Sequence, residues 1–125
     1  MRFAASFNEW IDGVIKYSKG VCDEFSEAYA KNPAEALDNC DNAFENAARL
    51  ELAMGIKRSL EEAAEKGVFE SERIAYLKNY HLRNLLIAAA WPSHSTSVTS
   101  NFYHQCKTAA FAELLKDWPV ETNEN

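Results

Sequence analysis

Glycine and proline are scarce in this chain, with four and three among 125 residues. A β-sandwich or barrel needs a turn about every ten residues, so that scarcity argues against both. Long apolar runs are missing too. The longest covers residues 85–91, far short of the ~20 residues that cross a bilayer. No export signal is expected, because Asn8, Glu9 and Asp12 interrupt the stretch that would have to be apolar. Cysteine is sparse, and Cys22, Cys40 and Cys106 form no CxxC or Cys/His ligand pair. They are expected to be reduced thiols acting as small hydrophobes, although Cys22 and Cys40 flank a predicted helix–helix turn and could face each other. Basic residues are outnumbered, 13 against 19 acids, for a net charge of −6. That balance disfavours a generic nucleic-acid binder, whose affinity comes from Lys and Arg on phosphates. What remains is one acidic domain, expected to be cytoplasmic, large enough to bury roughly two-thirds of its unfolded surface.

The residues present follow helical spacing. Ser6 with Glu9 makes a capping box, and Phe7, Trp10, Ile11, Val14, Val21, Cys22, Phe25, Ala28 and Tyr29 recur at intervals of three and four, with Ser18 the polar interruption. That first helix should stop near Lys31. Gly13 and Gly20 weaken it by up to ~1 kcal/mol each against Ala, so packing must hold it. Asn32-Pro33 caps and starts a second helix with Glu35 in its first turn. Its apolar face reads Leu37, Cys40, Phe44, Ala47, Leu50 and Met54, then shifts by one position after Gly55 to Ile56, Leu60 and Ala63 or Ala64. A helix from Pro33 to Lys66 would be ~50 Å long, so a bend or break near Gly55 is the alternative. A third helix follows Ser71, wide in its apolar face through Ile74, Leu77, Leu82, Leu85, Leu86 and Ala89, and ends at Trp91-Pro92. Residues 92–100, rich in Ser and Thr, read as an exposed loop. Thr99 or Ser100 then caps a last helix carrying Phe102, Tyr103, Cys106, Phe111 and Leu114, closing at Trp118-Pro119. The expected fold is all-α: a single-domain bundle of four main helices, five if the second breaks near Gly55, over residues 1–119 with a frayed polar tail at 120–125.

Most helical chemistries leave spacings that this chain does not have. A di-iron carboxylate site needs Glu-x-x-His, yet His81, His94 and His104 follow Lys78, Trp91 and Asn101 by three residues. A helical ribonuclease motif needs an Arg closely followed by His, and Arg73 lies too far from His81. His94 and His104 bracket the Ser/Thr loop without a nucleophile elbow or an orienting acid, so no catalytic residue is assigned and no enzyme is expected. His81, between Leu77 and Leu85, is expected as a core or boundary histidine. Phe102, Tyr103, Trp91 and Trp118 are expected as core aromatics at helix ends, with an exposed one there as a potential partner anchor.

One acidic pattern has a chemical alternative. Glu24-x-x-Glu27 and Glu35-x-x-Asp38 flank the Asn32-Pro33 turn. The arrangement is superficially similar to helical nucleoside-triphosphate pyrophosphatases, which hold Mg²⁺ with ExxE and ExxD. The spacer is short, and with Phe25 and Leu37 turned to the core, Glu27 and Asp38 would face away from a shared pocket. A Mg²⁺-dependent nucleotide hydrolase is therefore the lesser alternative, and no metal or cofactor is assigned.

Charge distribution says more than any motif. Residues 20–48 hold seven acids (Asp23, Glu24, Glu27, Glu35, Asp38, Asp41, Glu45) and one base, Lys31, while the rest of the chain holds twelve of each. The whole net charge thus sits on the tip of the first helical hairpin. Solubility is the plain reason for such a patch; the sharper one is an electrostatic docking surface for a basic macromolecule, such as a protein that itself handles nucleic acid, with carboxylates mimicking phosphates. The expectation is an inhibitor or adaptor that touches neither nucleic acid nor membrane directly. In size and charge, though in no motif, the chain resembles small acidic inhibitors from phages and mobile elements, anti-CRISPR proteins among them. A structural homo-oligomer, a homo-dimer for instance, assembled through the apolar third helix is the other alternative.

Overall fold

A computed structural model describes residues 3–90 and 98–119, with the side chains of 3–6, 89 and 98–100 left aside. Trp91, Pro92, His94 and the tail at 120–125 lie outside the described residues. Five helices account for nearly all of the described chain: α1 (Phe3–Lys31), α2 (Pro33–Asp38), α3 (Asp41–Glu65), α4 (Glu70–Ala90) and α5 (Val98–Asp117). The fold is an all-α bundle. Its α3 packs against α1, α5 and α4, and short α2 folds back on α1.

The helix boundaries follow from local chemistry. Asn32 caps α2 by accepting from the Glu35 amide at 3.3 Å, with Pro33 in the first position where its missing N–H costs nothing. The end of α3 is a Schellman turn. Gly67, at φ +72°, donates to Ala64 O, and Val68 donates to Ala63 O at 2.9 Å. Two expected caps are displaced. Since α1 begins at Phe3 and α5 at Val98, Ser6, Thr99 and Ser100 are inside their helices. Likewise α4 starts at Glu70, one residue ahead of the Ser71 cap expected.

The fifth helix does not come from Gly55. α3 runs unbroken through that glycine, and the break falls at Asn39-Cys40 instead. There the Asn39 amide donates to Ala36 O at 3.2 Å and its side chain donates to Glu35 O at 3.4 Å. An Asn that bonds its own backbone offers the chain an alternative to continuing the helix. The break resets the helical phase, so Leu37 and Phe44 do not share a buried face. Leu37, Phe44 and Met54 are all exposed, and α3 buries Ala43, Asn46, Ala53, Ile56, Leu60 and Ala63 instead. Small residues along that stripe let α1 approach closely.

The main core gathers at the end of the bundle away from the α1–α2 turn. It contains Phe7, Ile11, Ile56, Leu60, Ile74, Leu77, Leu114 and Trp118. Phe7, Trp10 and Trp118 form an aromatic triangle with centroids 5.0–5.5 Å apart. Midway along the bundle, apolar packing gives way to a polar knot. Asn46, fully buried, accepts from Ser18 Oγ at 3.2 Å and from Arg49 Nη1 at 3.1 Å, and donates to Asn42 O at 2.8 Å. The polar interruption at Ser18 is thus matched across the α1–α3 interface. Among the described residues no helix is long and apolar enough to cross a membrane.

Candidate functional site

The hairpin tip is built from the last three turns of α1, all of α2 and the first two turns of α3. Asp23, Glu24 and Glu27 lie on α1, Glu35 and Asp38 on α2, and Asp41 and Glu45 on α3. All are exposed except Glu45, which is half-buried. Glu35 and Asp41 stand in first helical turns, where the positive end of the helix dipole favours them. Asp23, Glu24 and Glu27 have no such compensation, because they approach the negative C-terminal end of α1.

Little inside the chain neutralises these groups. Asp23 pairs with Lys19 one turn away at 3.1 Å. Among the described residues the other six have no Lys, Arg or His within ion-pairing distance; the remaining pair, Lys57 with Asp12, lies elsewhere. Asn32 Nδ2 donates to Glu35 at 3.2 Å, a neutral contact that leaves the charge in place. The field of these carboxylates reaches α5. The buried Cys106 thiol is pushed up by burial first, and then by Glu45, Asp41 and Cys40. Cys22 is raised by burial and by Asp23. The three cysteines are free thiols, and Cys22 turns its Sγ toward Ala43 O at 4.0 Å.

Between α1, α2 and α3 the tip is concave. A groove of about 470 Å³ is lined by apolar Val21, Phe25 and Ala43 and by the charged residues Glu24, Lys31 and Glu35. Glu27 and Asp38 do not line it, and among the described residues no three His, Cys, Asp or Glu side chains converge on a point where a cation would sit. Beside the groove runs an aromatic ladder absent from the sequence-based expectation. Tyr29, Phe25, Phe44 and Phe102 follow one another at centroid distances of 6.2, 6.1 and 5.5 Å, and Tyr29 and Phe44 are each more than 40% exposed. Their positions on α1, α3 and α5 show why spacing along the sequence did not reveal them. Exposed rings among unpaired carboxylates suit a cationic partner, since a ring face attracts Arg or Lys as the carboxylates do.

The remaining singled-out residues sort plainly. His81 is buried at 4% exposure, with ring contacts to Tyr80, Phe111 and Trp118. Its Nδ1 has no partner among the described residues, and burial lowers its pKa to about 4. Trp118 is core as expected and Phe102 is half-buried, but Tyr103 is not core: it is exposed, with its hydroxyl donating to Glu51 at 2.8 Å. Comparison with protein-family models, with curated proteins and with solved structures finds no match to this chain.

Proposed function

We propose that this protein is a non-enzymatic, cytoplasmic interaction module, an inhibitor or adaptor that docks its acidic hairpin on a basic surface of a nucleic-acid-handling protein. One observation carries the reading: among the described residues, six of the seven carboxylates at the tip have no basic group within ion-pairing distance, so no direct ion pair offsets their repulsion. A cationic partner would relieve it and gain apolar contact with Phe25, Tyr29 and Phe44. Carboxylates spaced along helices mimic a phosphate row, which is how such a module would compete with nucleic acid. Affinity capture from the native host tests this by comparing the wild type with the reversal of Glu24, Glu27, Asp38 and Asp41 to Lys. A basic protein retained by the wild type at low salt, released at high salt and absent from the variant supports it. Equal recovery on both refutes it.

A second reading, a homo-oligomer through α4, is favoured by one observation. Leu82 and Leu86, one turn apart, are 43% and 61% exposed. Light scattering on the eluting protein decides it, since a monomer at high micromolar concentration excludes the oligomer.

A further inference from the structure

A groove of about 420 Å³ between α3 and α4 shares no residue with the acidic tip. Along α3, Arg58 is about 20 Å beyond Glu45, at 1.5 Å per residue. One end of this groove is cationic. Arg58 is exposed and folds its Nη2 back over Gly55, where a side chain's Cβ would lie 4.0 Å away. Arg73 reaches across from α4, donating to Ser59 Oγ at 3.2 Å and lying 5.6 Å above the Tyr76 ring. Among the described residues neither guanidinium has a carboxylate partner. The middle is aromatic and open: Tyr76 and Tyr80 stack at 6.4 Å and 21°, and both are at least half exposed. The far end offers an acceptor. Glu51 lines this end and accepts from Tyr103 through Oε2, and among the described residues its Oε1 has no hydrogen-bond partner.

From these placements we infer that the α3–α4 groove is a binding site for a mononucleotide bearing an amino-substituted base. The phosphate would lie on Arg58, Arg73 and Ser59, the base on the faces of Tyr76 and Tyr80, and the amino group against Glu51. The spacing fits. Glu51 and Arg58 are seven residues apart on one helix, about 10 Å, comparable to the reach from a 5′-phosphate to the outer edge of its base. Two arginines supply charge-assisted contacts that a phosphate accepts in pairs, and base–tyrosine stacking tolerates any planar ring.

Calorimetric titration of the full chain with AMP, adenosine, inorganic phosphate and UMP tests the assignment. AMP should bind one to one, with adenosine and phosphate at least about tenfold weaker, because each supplies only one half of the contacts. UMP, which lacks the amino group, should bind several-fold more weakly than AMP; equal binding would overturn the role given to Glu51. Arg58→Gln and Arg73→Gln should each lower AMP affinity about tenfold or more. Arg58 is exposed and holds no other element, so its variant keeps the test valid even if Arg73→Gln loosens α4. Four-site reversal at the acidic tip should leave AMP binding unchanged, which separates this site from the docking surface. Absence of saturable AMP binding at millimolar concentration, Arg58→Gln binding within twofold of wild type, or phosphate binding as tightly as AMP would each overturn the proposal.

Discussion

Replacing His81 by phenylalanine removes a titrating group while keeping an aromatic ring among Tyr80, Phe111 and Trp118. At 4% exposure the imidazole resists protonation, and burial lowers its pKa from 6.5 to about 4. In the unfolded chain the same group takes up a proton near pH 6.5. Between those values the unfolded state binds more protons, so the folded state is fully favoured above about pH 6.5 and loses stability as pH falls toward 4. The gap corresponds to about 3 kcal/mol at its limit, from ~1.4 kcal/mol per pH unit. That is a large part of the ~5–15 kcal/mol by which small domains are stable. Urea unfolding followed by helical circular dichroism, at steps from pH 7 to pH 4.5, measures it. Wild type should lose about 2–3 kcal/mol more than His81→Phe across that range, because protonation of the carboxylates is common to both and cancels. At pH 7 the two should agree within about 1.5 kcal/mol, the tolerance of a core for a swap of similar shape. Parallel loss of stability in the two proteins would refute a neutral, buried His81.

Glycine positions separate by their backbone. Gly67→Ala should destabilise by about 1 kcal/mol, because φ of +72° strains a residue with a Cβ. Gly13→Ala and Gly20→Ala should each stabilise by up to ~1 kcal/mol, since both lie inside α1 and an added Cβ meets nothing within 4 Å; thermal melts read all three, and a change of opposite sign in any refutes its assignment. At the polar knot, Asn46→Ala should cost about 2–3 kcal/mol, because buried Ser18 and Arg49 both lose their acceptor. Ser18→Ala should cost less, with Asn46 Oδ1 still occupied by Arg49. In a double-mutant cycle by denaturant unfolding, additivity of the two changes would contradict the contact.

The stripe Phe7, Ile11 and Val14, the Asn32-Pro33 start of α2 and the Lys66-Gly67 stop of α3 were legible because each rests on local rules of spacing, capping or backbone freedom. The break at Asn39-Cys40 was not, since neither residue is a strong breaker and its cause is a side chain bonding to its own helix. The buried face of α3 was misread for a different reason. Hydrophobic size drew attention to Phe44 and Met54, whereas close approach of α1 selects Ala43, Asn46 and Ala53. Local order along the chain could place seven acids at one hairpin. Only the fold shows that Phe25, Phe44 and Phe102, from three helices, come together beside them, and that Arg58 and Arg73 share a groove with Tyr76 and Tyr80.

A second acidic run, Glu61, Glu62, Glu65, Glu70 and Glu72, lies around the α3–α4 turn. It provides an internal control for the claim that cations are drawn to the hairpin tip in particular. Titrating the isotopically labelled protein with an oligoarginine peptide and following backbone amide shifts measures both regions at once. If the tip is the docking surface, shifts concentrate between residues 21 and 45, fade with added salt and vanish when Glu24, Glu27, Asp38 and Asp41 are changed to Lys. Shifts of equal size around the α3–α4 turn, or shifts that survive the four changes, would contradict it.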